Sequence, residues 1–163
     1  ENKKYEKEDA DILYWLGGAL MSAITIDLTD PALVPYRDTA MRIMLIAYNL
    51  DPDYGEGALH EYFIMYYASL PPGMGGDMEK AIYHYNKALE ISKGSKISPY
   101  IAYATTVVTK KQTPEGAAEF KKILENAVDF DINKYPANKL ENTVSKQKAV
   151  WLLENIDDYF LLD

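Results

Sequence analysis

Apolar residues recur every three or four positions along almost the whole chain, and alternation of apolar and polar residues is brief wherever it occurs. An α-helix turns once in about 3.6 residues, so this spacing places the apolar side chains on one helical face. No Asn-Gly or Asp-Gly pair is present to close a β-hairpin. The pattern therefore predicts an all-α protein.

Prolines, glycines and capping residues divide the pattern into seven predicted helices. Pro31, after the capping residue Asp30, predicts the start of the second helix, with an irregularity at Pro35. Asp77 can cap the fourth helix, and Gly94 suits its left-handed end. The predicted ranges are about 7–27, 31–50, 56–69, 78–94, 98 onwards, 114–129 and 136–161, and the last appears longest.

Three of these helices repeat the spacing of the second helix of a tetratricopeptide (TPR) pair. Such a helix carries Ala, then a large residue and a second small residue, with Pro in the following turn. The full pattern occurs at Ala40-Met44-Ala47-Pro52. It recurs without the proline at Ala81-Tyr85-Ala88, and a looser copy lies at Phe120-Leu124-Ala127.

The first helix of each pair should hold a small residue among large ones, so that the two helices can approach closely. Gly17 and Ala104 hold that place in helices one and five, whereas Phe63 stands there in helix three. The matches predict three helical pairs and a capping seventh helix, a TPR-like solenoid. We expect one such domain over residues 1–163, in a chain that reads as a fragment or a truncated mature protein.

The first helices of a solenoid line its concave face, so residues beside the packing positions should point into a groove. This predicted groove is mostly apolar and aromatic, without the Lys or Arg that a peptide carboxylate would need. It favours a hydrophobic small molecule or an apolar partner surface. An equally weighted alternative is that these side chains are ordinary core, or are covered by helix seven. The set comprises Tyr14, Gly18, Met21, His60, Ile64, Tyr67, Ile101, Thr105 and Val108.

A loop rich in proline and glycine precedes the fourth helix and raises the question of a phosphate site. A P-loop needs Gly-Lys-Ser/Thr at the helix start, but Gly75 and Gly76 are followed by Asp77, whose carboxylate would repel an anion. The nucleotide hypothesis therefore fails. The loop is instead about six residues longer than the repeat needs, and we expect a structural or interface role for it.

Charge and residue types exclude several other functions. A net charge of −8 argues against nucleic acid as a partner, and cysteine is absent. His60 and His84 lie on different predicted helices; His84 is expected on the surface, and neither has a neighbouring set of ligands or catalytic partners. We therefore predict no enzyme, no metal site and no cofactor.

The order of motifs along the chain resembles the TRAP-transporter-associated TPR protein, T-component family (TatT). The most specific stretch is the loop of Gly75, Gly76 and Asp77 with the helix after it. The motifs are LYWLGGAL (13–20), LDPDYGEGALHEYF (50–63), LPPGMGGDMEKAIYHYNKALEIS (70–92), LEN (140–142) and AVWLLENIDDYF (149–160).

The resemblance implies an all-helical accessory protein of the bacterial periplasm, membrane-tethered as a lipoprotein whose anchoring cysteine is not in this chain. It implies association with the solute-binding P-component of a tripartite ATP-independent periplasmic (TRAP) transporter, assembly as a homotrimer and handling of hydrophobic ligands. Two alternatives stay open. One is a generic TPR adaptor for peptide or protein partners in an envelope assembly complex, and the other is a stand-alone carrier of hydrophobic molecules.

Overall fold

The protein is described by a computed structural model over residues 4–27 and 30–162. In that part of the chain there are seven α-helices and no strand, which confirms the all-α prediction. The helices are α1 (Asp9–Ile26), α2 (Arg37–Leu50), α3 (Tyr54–Ser69), α4 (Met78–Ser92), α5 (Ser98–Thr106), α6 (Pro114–Asp129) and α7 (Lys139–Glu154). The chain divides into two compact units, Glu1–Leu59 and His60–Asp163.

The first unit contains α1 and α2, which pack closely against each other. A methyl group added at Gly17 would lie 2.6 Å from the sulfur of Met44, so any larger residue here would require the Met44 side chain to shift. Ala40, Met44 and Ala47 are completely buried along the facing side of α2. The contact between α1 and α2 therefore contains both the small residue expected in the first helix and the Ala-large-Ala spacing expected in the second.

The start of the second helix differs from its prediction. Residues 31–33 form turns, Val34–Tyr36 is a 3-10 helix, and α2 begins only at Arg37. Pro35 has no N–H for an α-helical hydrogen bond, and its ring would strike the carbonyl of residue 31. Asp30 instead accepts a hydrogen bond from the N–H of Ala32 at 2.7 Å, closing a local turn.

The beginning of α3 also departs from a regular helix. Gly55, Glu56 and Gly57 all have positive φ angles, of 59°, 54° and 96°. Consecutive left-handed residues cannot continue a right-handed helix, and two of the three are glycines, which adopt this conformation without steric cost. The regular part of α3 therefore follows Gly57.

The second unit is built around two apolar clusters. We call the first the α3–α5 core; it comprises Ile64, Ala68, Ala81, Ala88, Ala102 and Val107. We call the second the α5–α7 core; it comprises Ile97, Ile101, Ala104, Val108, Phe120, Leu124, Ala127, Ala149, Leu152 and Phe160. Thr113 caps α6 by accepting a hydrogen bond from the N–H of Gly116.

The last helix is shorter than predicted. α7 covers 16 residues, against 18 in α1, and short 3-10 helices at Pro136–Asn138 and Ile156–Asp158 flank it. Asn155 ends it: its side-chain amide donates to the carbonyl of Trp151 at 2.7 Å and competes with the backbone ladder.

The loop before α4 is folded tightly onto the end of α3. The N–H of Gly76 donates to the carbonyl of Pro71, and the N–H of Asp77 donates to the carbonyl of Tyr67, both at 3.0 Å. A methyl group at Gly76 would lie 1.8 Å from the carbonyl oxygen of Leu70, so this position admits no side chain. Asp77 caps α4 through the N–H of Lys80 at 3.0 Å, as predicted.

Candidate functional site

A pair of buried histidines joins α3 to α4. The Nδ1 atoms of His60 and His84 lie 2.8 Å apart, and the two residues are only 2% and 7% exposed. The expectation that His84 lies on the surface is therefore wrong. Ala81, His84 and Ala88 share one helical face by their spacing of three and four, and that register could have indicated its burial.

The short contact constrains where the protons of the pair can be. An Nδ1–Nδ1 hydrogen bond needs one ring to donate and the other to accept, so the two facing atoms carry one proton between them. Burial, the neighbouring His60 and the charge of Lys80 together lower the pKa of His84 from 6.5 to about 4. His84 is thus neutral at neutral pH.

Aromatic rings enclose the histidine pair. The ring of Tyr67 stacks on His84 with centroids 5.7 Å apart and planes 15° apart. Phe63 and Tyr83 contact the same imidazole, with centroids 4.9 Å and 5.2 Å away. The Lys80 ammonium lies 5.3 Å from the centroid of Tyr67, within the range of a cation–π interaction. The enclosure keeps water from the imidazoles and disfavours a charge on His84.

A second polar cluster includes Glu61, the residue of α3 that follows His60. Lys96, in the turn between α4 and α5, has a side chain only 5% exposed, with its Nζ atom 3.4 Å from Glu61 and 3.2 Å from Glu141 of α7. Burial opposes the charge of Lys96, but the two carboxylates more than offset it and raise its pKa. Burial raises the pKa of Glu61, and Lys96 only partly reverses that shift.

Asn142 of α7 fixes the same turn and is completely buried. Its Oδ1 accepts from the N–H of Ile97 at 2.9 Å, and its Nδ2 donates to the carbonyl of Ser95 at 2.8 Å. No role for Asn142 was predicted from the sequence. Asn142 lies seven and ten residues before Ala149 and Leu152, the other buried residues of α7, and this helical spacing could have indicated its burial.

The predicted groove residues have different degrees of burial. Ile64 lies in the α3–α5 core, and Ile101 and Val108 lie in the α5–α7 core, where the chain itself covers them. The remaining members apart from His60 are half-buried: Tyr14, Gly18, Met21, Tyr67 and Thr105. Within the first unit Tyr14 packs against Tyr54, with ring centroids 5.0 Å apart. Ligand binding by the set stays a prediction.

Two further observations concern ligands and membranes. Across residues 4–27 and 30–162, no three or more His, Asp or Glu side chains cluster in a way that could hold a metal ion. None of the helices described there has the length and apolar character needed to cross a bilayer.

The relationship to known proteins rests on two matches. The family model described as TRAP transporter T-component matches residues 2–160. A protein of Treponema pallidum (strain Nichols), named only "uncharacterized protein", is 29% identical over 153 residues, which make up 94% of this chain and 46% of that protein. The chain thus spans about half the length of that relative. Because the family model covers nearly every residue, the chain belongs to the TRAP transporter T-component family.

Proposed function

We propose that this protein is a non-enzymatic accessory component of a TRAP transporter, a TPR-like scaffold that binds the solute-receptor P-component in the periplasm. The family match over residues 2–160 carries the proposal, since it indicates a transporter accessory role in the cell envelope. In the full-length protein, we propose a lipoprotein anchor and assembly as a homotrimer.

The helix contacts support a TPR-like arrangement. In the first unit, Gly17 of α1 and Met44 of α2 hold the positions that the repeat assigns to the helix contact, and a methyl group at Gly17 would lie 2.6 Å from the Met44 sulfur. In the second unit Ala81 and Ala88 are completely buried on α4, and Ala104 is completely buried on α5. These small residues occupy the repeat positions where two helices must come close.

A hydrophobic ligand is the second part of the proposal. The half-buried candidates Met21, Tyr67 and Thr105 are the informative ones, because they can exchange contact with the chain for contact with a ligand. Ile64 and Ile101 are unsuitable as probes: each is at most 4% exposed, and a charged replacement there would unfold the protein. Native mass spectrometry of the purified protein reports a retained ligand and the oligomeric state in one measurement.

The experiment that tests the partner is sedimentation velocity of the protein mixed with the receptor subunit of a TRAP transporter from the same organism. We expect a faster-sedimenting complex. The control is a solute receptor of similar size from an unrelated transporter type, which should not bind. Equal binding of both receptors would favour a generic adaptor, and ligand retention without receptor binding would favour a stand-alone carrier.

A further inference from the structure

Helix α1 is apolar around its whole circumference, although one side of it lies on the surface. Residues 12–26 include no charged side chain, and the only charges of the helix are two aspartates near its start. A helix of this kind is normally buried on every side. On the side opposite Gly17, however, Ile12, Trp15 and Leu16 are each more than half exposed. We call these three residues the α1 outer face.

Helix α7 carries a smaller exposed face that is partly apolar. Val144 and Trp151 lie about two turns apart on one side of α7, and each is more than half exposed. Lys148 lies between them on the same side and is also exposed. We call these three residues the α7 outer face. The end helices of a repeat protein need polar outer surfaces to remain soluble as single molecules. Exposed tryptophan and aliphatic side chains on both helices therefore indicate interaction surfaces.

The charges near the two faces are complementary. α1 contains no basic residue, and Glu8, one turn before Ile12, places a carboxylate at the end of its outer face. α7 contains three lysines and two glutamates, and one of these glutamates, Glu141, is paired with Lys96. Two α1 faces would therefore bring like charges together, whereas an α1 face and an α7 face bring opposite charges together. The net charge of −8 also disfavours an anionic membrane as the covering surface.

We propose that the α1 outer face of one copy of this chain docks on the α7 outer face of a second copy. Trp15 and Trp151 are the anchors of this contact, since tryptophan is enriched among the residues that dominate binding free energy. Because the two faces differ, each copy keeps one face for a further copy, and the contacts can close into a ring. The contact would account for the homotrimer proposed above and rests on that self-association, but it needs no receptor.

Sedimentation velocity of two complementary variants tests which faces pair. Ile12→Glu damages only the α1 face and Val144→Glu only the α7 face, so each variant alone should self-associate at least about tenfold more weakly than wild type. Mixed together, they should form a one-to-one dimer and nothing larger, because each supplies the face that the other lacks. The matched control is Met74→Glu, which changes another exposed apolar residue and should associate like wild type.

Disulfide cross-linking provides a second test, because the chain has no cysteine of its own. An Ile12→Cys copy mixed with a Val144→Cys copy should oxidise in air to a dimer that contains one of each, while neither variant alone should cross-link efficiently. This test stands even if a glutamate variant fails to fold by circular dichroism.

Three results would overturn the contact between the two faces. The first is a wild-type chain that stays monomeric at high micromolar concentration, and binding of that monomer to phosphatidylcholine vesicles would assign the apolar faces to lipid instead. The second is a mixture of the two folded glutamate variants that forms no dimer. The third is efficient cross-linking of Ile12→Cys to itself. Receptor binding by a monomeric chain would leave the proposed transporter role standing without this contact.

Discussion

α3 and α4 are joined by side chains that can gain or lose a proton, whereas α5, α6 and α7 enclose a core of apolar side chains. On the first side, His60, His84 and Lys96 are all less than 8% exposed. On the second side, Phe120 and Leu124 are completely buried. Apolar packing stabilises regardless of pH, while a buried titratable contact stabilises only in one protonation state. The two sides should therefore respond differently to mutation and to acid.

The apolar side should show the largest loss of stability. Phe120→Ala should lower the free energy of unfolding by about 3–5 kcal/mol, because it removes a completely buried ring and leaves a cavity. The loss should be the same at neutral and mildly acidic pH. Urea unfolding measures it, with Leu140→Ala as the control: Leu140 is 80% exposed, and the change should stay within about 0.5 kcal/mol. Equal losses in the two variants would contradict the assigned core.

Lys96→Met tests the polar side. It leaves the carboxylates of Glu61 and Glu141 facing each other without the cation between them. We expect a loss of about 2–4 kcal/mol, below that of a fully buried pair because Glu141 is partly exposed. Acid should reduce the loss, since the pKa of Glu61 is raised and its protonation removes the uncompensated charge. The matched control is Lys121→Met, which removes a solvent-exposed pair with Glu125 and should cost at most about 0.5 kcal/mol.

The loop between α3 and α4 can be compared at two glycines. Gly76→Ala should cost about 1–3 kcal/mol in thermal or urea unfolding, because the added methyl group meets the carbonyl of Leu70 and the loop must move. A methyl group at Gly73 would meet no atom within 4 Å, so Gly73→Ala should leave the stability nearly unchanged. A neutral Gly76→Ala, with the melting curve and oligomeric state unchanged, would show that the loop does not hold α3 against α4.

The last expected effect is the pH dependence of stability that comes from the histidine pair. The pKa of His84 is about 4 in the folded protein against an ordinary value of 6.5, so the unfolded chain binds the proton first as the pH falls. Stability is complete above about pH 6.5, decreases as the pH falls towards 4 and levels off below that, by about 1–3 kcal/mol in total. Urea unfolding across this range should show a flatter curve for His84→Gln. An unchanged slope would assign the acid sensitivity to other groups.

Much of the helical architecture was predictable because it depends on local rules. The cap Asp77 and the starts of α5 and α6 lie where the sequence indicates, since each depends on only a few neighbouring residues. The second helix and α7 were predicted too long. In each case a proline or asparagine near the end changes the backbone hydrogen bonds, while the apolar spacing continues past it.

The candidate site was less predictable, because its partners are distant in the sequence. His60 and His84 are 24 residues apart, and Lys96 is 45 residues from Glu141 in the chain. Each reads as an isolated polar residue until two helices bring the pair together. The groove residues show the same limit: Ile64 and Ile101 are buried in the cores, and repeat phase alone does not distinguish an open groove from a filled core.

The sequence by itself determined the helical class, most helix ends and the family, because periodicity, capping and motif order are properties of short segments read in sequence. Tertiary structure alone decided which polar groups become buried and which partners they meet. The reason is physical: desolvation and hydrogen bonding act over a few ångströms between helices, and only their packing sets those distances. His84 illustrates this, since burial beside His60 changes it from an expected surface residue into one whose pKa is lowered.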